Sequence, residues 1–89
     1  MGKKRPTHEF KFGKIRAAIW ANESEKHNLW FNVTVSRLYK EDDQWKDTSS
    51  FGRDDLPVVC KAIDMAYSWI LRRERQLELE QRERAKDED

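Results

Sequence analysis

The sequence predicts an α+β domain: an antiparallel sheet of three to four strands followed by one long C-terminal helix packed on one face. Three observations carry this. Residues 29–40, LWFNVTVSRLYK, alternate apolar and polar side chains as a half-buried strand does. Residues 11–20 repeat that alternation, with Ile15, Ala17 and Ile19 on one side and Lys14, Arg16, Ala18 and Trp20 on the other. From Leu56 onward, apolar residues recur every three or four positions, the spacing of an amphipathic helix.

Length and composition bound the rest. Eighty-nine residues make one small domain, and 37% apolar against 39% charged residues implies a compact middle with solvated ends. Net charge is +1, but residues 1–20 carry six Lys/Arg against one Glu, so the basic charge sits at the front. The single cysteine, Cys60, excludes an intrachain disulfide. No apolar run approaches the ~20 residues of a membrane span, and the opening MGKKRPTHEFKFG lacks the apolar core of a signal peptide. A cytoplasmic protein without membrane contact is expected.

In chain order, residues 1–10 lack periodicity and read as a flexible basic tail, either a solvated terminus or a phosphate-touching arm. Residues 11–71 form the domain. The first strand, 11–20, is followed by a polar hairpin loop at 21–28 and the central strand at 29–40, with Phe31, Val33 and Val35 inward. Acidic turn formers at 41–43 precede a third strand at 44–51, where Trp45, Asp47, Ser49 and Phe51 are assigned inward and Lys46, Thr48 and Ser50 outward. A fourth strand requires the long central run to bend. Asp54 or Asp55 is placed to cap the helix beginning at Leu56-Pro57.

The helix carries two apolar stripes. Leu56, Val59, Cys60, Ile63, Ala66, Tyr67, Ile70 and Leu71 make the broader one, expected to cover the sheet. Val58, Ala62, Met65 and Trp69 make a second, a candidate dimer or partner interface unless a curled sheet buries both. Residues 72–89 read as a charged extension of the helix, frayed at its end, with Glu78 and Arg82 spaced for an i,i+4 pair.

Catalytic chemistry is absent from the pattern. His8, His27 and Cys60 lie apart, without metal-ligand spacing, and the three glycines are scattered rather than gathered in a phosphate loop. No cofactor, metal, small-molecule substrate or enzymatic activity is expected. The outward sheet face is the candidate site. Lys14, Arg16, Trp20, Trp30, Asn32, Thr34 and Lys46 combine cations for phosphate, aromatics for stacking on unpaired bases, and amide and hydroxyl groups for sugars or base edges. A polar outer face is also ordinary in antiparallel sheets, for solubility alone.

Ala17–Glu23 (AAIWANE), Arg37–Lys40 (RLYK), Trp45–Phe51 (WKDTSSF) and Asp54-Asp55-Leu56 together resemble a family of small, functionally uncharacterised bacterial proteins. The family's pattern is A-x-I-W-x-N-E, then R-x-Y-K, then W-K-D-T-x-S-F and a D-L-helix, and it covers about residues 13–70. It implies no assigned activity. More remotely, strands followed by one long helix look like the single-stranded-DNA-binding transcriptional coactivator and Whirly proteins. That resemblance implies four strands, dimerisation through the helix and DNA on the sheet, but it is one of fold and carries over no site residues. Single-stranded nucleic-acid binding, with a possible homodimer, is the leading expectation. Two alternatives stand beside it. One is duplex binding through Arg16, Arg37 and Lys46 on a three-stranded sheet, similar to ethylene-response-type and integrase arm-binding domains. The other is a protein-interaction module using the Val58–Trp69 stripe.

Overall fold

The computed structural model describes residues 5–87; Lys3 and Lys4 of the expected basic tail lie outside the described residues, as do Glu88 and Asp89. Four strands lie side by side as an antiparallel meander: β1 (His8–Phe12), β2 (Ile15–Glu23), β3 (Leu29–Glu41) and β4 (Gln44–Thr48). A short 3-10 turn, Arg53–Asp55, leads into α1 (Leu56–Asp87), which packs on the sheet. The α+β class and the single long C-terminal helix are as the sequence predicts.

The fourth strand arises differently from expectation. β3 does not split; it is one continuous strand of 13 residues. The extra strand takes His8, Glu9 and Phe10 from the expected tail and Lys11 and Phe12 from the expected first strand 11–20, which the turn at Gly13-Lys14 divides between β1 and β2; Thr7 N–H already donates to the Ile19 carbonyl at 2.7 Å. Residues 9–12 alternate Glu-Phe-Lys-Phe, and Gly13 takes φ 59° so that a two-residue turn closes Phe12 against Ile15. A second tight turn joins β3 to β4, where Asp42 and Asp43 both adopt positive φ and Glu41 pairs with Gln44.

The pairing register defines the two faces. On the helix side, Phe10 lies across from Ala17 and Ala17 from Val35, while Phe12, Ile15 and Arg37 form the next row. Phe31, Val33 and Val35 are on this inner side, as expected. β4 is not as expected. Lys46 pairs with Tyr39 and Thr48 with Arg37, both inner positions, whereas Trp45 and Asp47 pair with Lys40 and Leu38 on the outer face. The assignment fails because it was anchored on Phe51. The strand ends at Thr48 and the chain bends at Ser49, so Phe51 reaches the core out of phase with Trp45.

The helix also packs through the other stripe. Val59 and Ala62 meet Ile15 and Ala17, with Val58, Phe10, Phe12, Val35 and Phe51 around them. Met65 and Trp69 are half-buried on the same side. Trp69 stacks on His8, with ring centroids 5.4 Å apart, and meets Phe31 edge-on at 5.7 Å. The candidate interface Val58, Ala62, Met65 and Trp69 is therefore core. Small side chains at Ala62 and Ala66, both buried, let the helix backbone approach β2 closely; Trp69 fills the wider gap at the far end. Of the stripe expected to face the sheet, Val59 and Ala66 are buried, but Leu56, Cys60, Ile63, Tyr67 and Leu71 are exposed.

The helix start differs in detail. Asp55 turns back rather than forward: its Oδ2 accepts from Gly52 N–H at 2.8 Å and lies 3.4 Å from Arg37 Nε. Arg37 Nε also donates to the Ser50 carbonyl at 3.3 Å, tying β3 to the segment that launches α1. At the other end the helix continues unbroken to Asp87, with Arg82 and Glu78 paired at 3.0 Å and residues 78–86 all exposed. The helix projects past the sheet, so the radius of gyration is 17.1 Å against about 12 Å for a compact chain of this length.

Candidate nucleic-acid interface

α1 covers one face of the sheet, and the other is open. Arg16, Ala18, Trp20 and Asn22 of β2 alternate onto this outer face, opposite Ser36, Thr34, Asn32 and Trp30 of β3. Glu9 and Lys11 of β1 flank Ala18 and Arg16. Lys14, in the β1–β2 turn, is exposed at the edge, and its carbonyl accepts from Leu38 N–H at 2.8 Å.

Of the expected site residues, Arg16, Trp20, Trp30, Asn32 and Thr34 share this face, with Lys14 at its margin. Lys46 does not: it sits on the helix side, 3.7 Å from Glu41. Arg37 is likewise on the inner side and engaged with Asp55. The triad Arg16, Arg37 and Lys46, needed for a duplex laid on one sheet face, is thus divided between two faces.

Trp20 and Trp30 are diagonal neighbours. Trp20 lies opposite Asn32 and Trp30 opposite Asn22, a diagonal relation that sets such residues about 7–8 Å apart, within reach of aromatic side chains. Trp20 Nε1–H donates to Thr34 Oγ1 at 2.9 Å, drawing its indole across toward the partner of Ala18. Ala18 is 1% exposed although it faces outward, consistent with the indole lying over it. Trp20 is half-buried as a result, while Trp30 remains 45% exposed.

The electrostatics centre on Glu9. Arg16 Nη2 lies 2.5 Å from Glu9 Oε1, and Lys11 Nζ lies 3.9 Å from Oε2. Two cations, Lys11 and Arg16, thus hold one carboxylate, with Lys14 exposed in the turn at this end of the sheet. A phosphate there meets a net positive cluster but competes with Glu9 for Arg16.

Glu9, Lys11 and Trp45 are outer-face residues to which the sequence assigns no part in the site. Lys11, in the expected first strand, lies across from Arg16. Trp45, expected inward, is 62% exposed and pairs with Lys40. The signal for Trp45 was present: a two-residue turn at Asp42-Asp43 forces Lys40 opposite Trp45, and Lys40 is in phase with Trp30 along β3. The outer face therefore carries three indoles, two adjacent and one at the distant hairpin. Among the described residues no group of three or more His, Cys, Asp or Glu could hold a metal ion, and no helix is long and apolar enough to cross a membrane. No protein-family model, curated protein or solved structure matches this chain.

Proposed function

We propose that this protein is a non-enzymatic, cytoplasmic module that binds single-stranded nucleic acid on the outer face of its sheet. The carrying observation is that Trp20 and Trp30 sit on adjacent strands of one uncovered face. Indoles in this relation offer stacking platforms to neighbouring bases, each contact worth about 1–3 kcal/mol and tolerant of sequence. Lys11, Lys14 and Arg16 supply phosphate contacts beside the platform, and Asn32, with the Thr34 hydroxyl, supplies hydrogen bonds to bases or sugars. The division of Arg16, Arg37 and Lys46 between two faces favours single strand over duplex.

Competition tests this reading. A labelled single-stranded oligonucleotide bound at low salt should be displaced by unlabelled single strand far more readily than by duplex of the same sequence. Equal or better displacement by duplex, or no binding at all, contradicts it.

A further inference from the structure

The side of α1 that packs on the sheet changes character at the start of β1. Val58, Ala62, Met65 and Trp69 recur at intervals of four, three and four, and Arg72 and Gln76 continue that spacing. Trp69 meets His8 and Phe31, so the next helical turn brings Arg72, Arg73 and Gln76 beside Thr7, the residue before β1. With Trp69 they line a groove of about 420 Å³. Arg73 is half-buried there and Arg72 exposed. Arg73 Nη1 donates to Gln76 Oε1 at 3.3 Å, and among the described residues neither guanidinium forms an ion pair. Arg16 and Arg37, by contrast, are each held by a carboxylate. The acids of this stretch of helix lie elsewhere: Glu74 and Glu78 border a separate groove shared with Leu29 and Phe31 of β3. Another groove along β1 shares Arg72 and adds Lys61, but also Asp64. The uncompensated positive charge is therefore at the Thr7 end.

Two guanidiniums without a counter-ion suit a phosphate group. Each offers a planar fork of donors to phosphate oxygens, and the Thr7 hydroxyl and Gln76 amide add further donors at the same groove. The groove also lies at the same end of the sheet as the outer-face indoles. His8 pairs with Ile19, the neighbour of Trp20, and Trp20 pairs with Asn32, two residues from Trp30. The indoles are on one side of the sheet and the groove on the other, with β1 alone between β2 and the edge. Neighbouring strands are about 5 Å apart. We propose that a single strand stacked on Trp20 and Trp30 bends round the β1 edge at Thr7 and sets backbone phosphates against Arg72 and Arg73. The inference rests on the single-strand reading above, and it extends that site from one face of the sheet to its edge and to the helix.

Binding of labelled single strands of about 4 and about 12 nucleotides to the full chain, across a salt series, tests it. With the longer strand, Arg72→Gln and Arg73→Gln should each weaken binding and flatten the slope of log K against log salt by roughly 0.7, while the helical circular dichroism persists. Arg84→Gln removes the same charge from the other groove and should leave the slope as it is. The shorter strand, held on the indoles alone, should lose nothing in any of these variants. An unchanged slope in both Arg72→Gln and Arg73→Gln, with tryptophan quenching intact, overturns the edge site and leaves the indole platform standing. An equal loss in Arg84→Gln overturns it too, because the effect is then one of overall charge. So does an equal loss with the shorter strand, which cannot reach round the edge. No binding by the native chain overturns the single-strand reading and this site with it. If Arg73→Gln fails to fold, the exposed Arg72 decides alone.

Discussion

Trp20 and Trp30 stand two positions out of register on neighbouring strands, so their indoles share the open face without lying directly opposite each other. They differ in what else they do. Trp20 is fastened to Thr34, the cross-strand partner of the buried Ala18, contributing to the sheet as well as to the candidate platform. Trp30, at 45% exposure, has no such bond among the described contacts and is the cleaner probe of stacking.

Glu9 restrains Arg16. Glu9→Gln removes the competing carboxylate and leaves Lys11 and Arg16 for phosphate. Affinity for single-stranded oligonucleotide should rise, and the slope of log K against log salt should steepen by roughly 0.7 for each additional phosphate contact on a single strand. Fluorescence anisotropy across a salt series measures both. An unchanged slope means Arg16 makes no phosphate contact.

Arg37 and Asp55 are structural on this account. Asp55→Ala removes both the acceptor for Gly52 N–H and the partner of Arg37. The expected cost is about 1–2 kcal/mol in urea unfolding, with oligonucleotide affinity unaltered. Arg37→Ala should behave likewise. A loss of binding in Arg37→Ala without loss of stability revives the duplex reading.

The β3–β4 turn holds two non-glycine residues at positive φ, 52° at Asp42 and 61° at Asp43. Asp43→Gly removes the side-chain penalty at a position where glycine is the preferred residue. Stabilisation of about 0.5–1 kcal/mol is expected, read as a rise of several degrees in Tm.

Trp69 is the discriminating position on the helix. Its ring lies between His8 and Phe31, so Trp69→Ala should destabilise the fold by about 3–5 kcal/mol. Tyr67→Ala, on the exposed stripe, should cost far less in the isolated chain. Comparing the two by chemical denaturation at low protein concentration identifies which stripe is core.

Much of this fold was legible in the sequence. Ile15, Ala17, Ile19, Phe31, Val33 and Val35 declare their side by strict alternation, and the helix start at Leu56 follows from periodicity and Pro57. What was not legible has specific causes. The Glu-Phe-Lys-Phe alternation of residues 9–12 is too short to mark a separate strand, and its role depends on the turn that Gly13 permits. Trp45 faces outward against expectation because the bend at Ser49 resets the alternation that links it to Phe51. The helix rotation was ambiguous because two stripes of similar hydrophobicity compete. Alanines at 62 and 66 win through close approach to β2, a steric advantage that hydropathy does not register. For the candidate site, Arg16, Trp20, Trp30, Asn32 and Thr34 were found from alternation alone. Lys46 lies on the inner side through the same change of phase that turns Trp45 outward.

The central claim is that Trp20 and Trp30 form a stacking platform for unpaired bases. Its most direct test is intrinsic fluorescence in a Trp45→Phe background, which leaves Trp20, Trp30 and the core Trp69. Titration with a short single-stranded oligonucleotide at low salt should quench the emission. Trp30→Ala in that background should remove most of the quenching and weaken binding by about 1–3 kcal/mol, roughly 5- to 150-fold. Binding that proceeds with undiminished affinity and no change in tryptophan emission would contradict the platform, whatever the cations contribute.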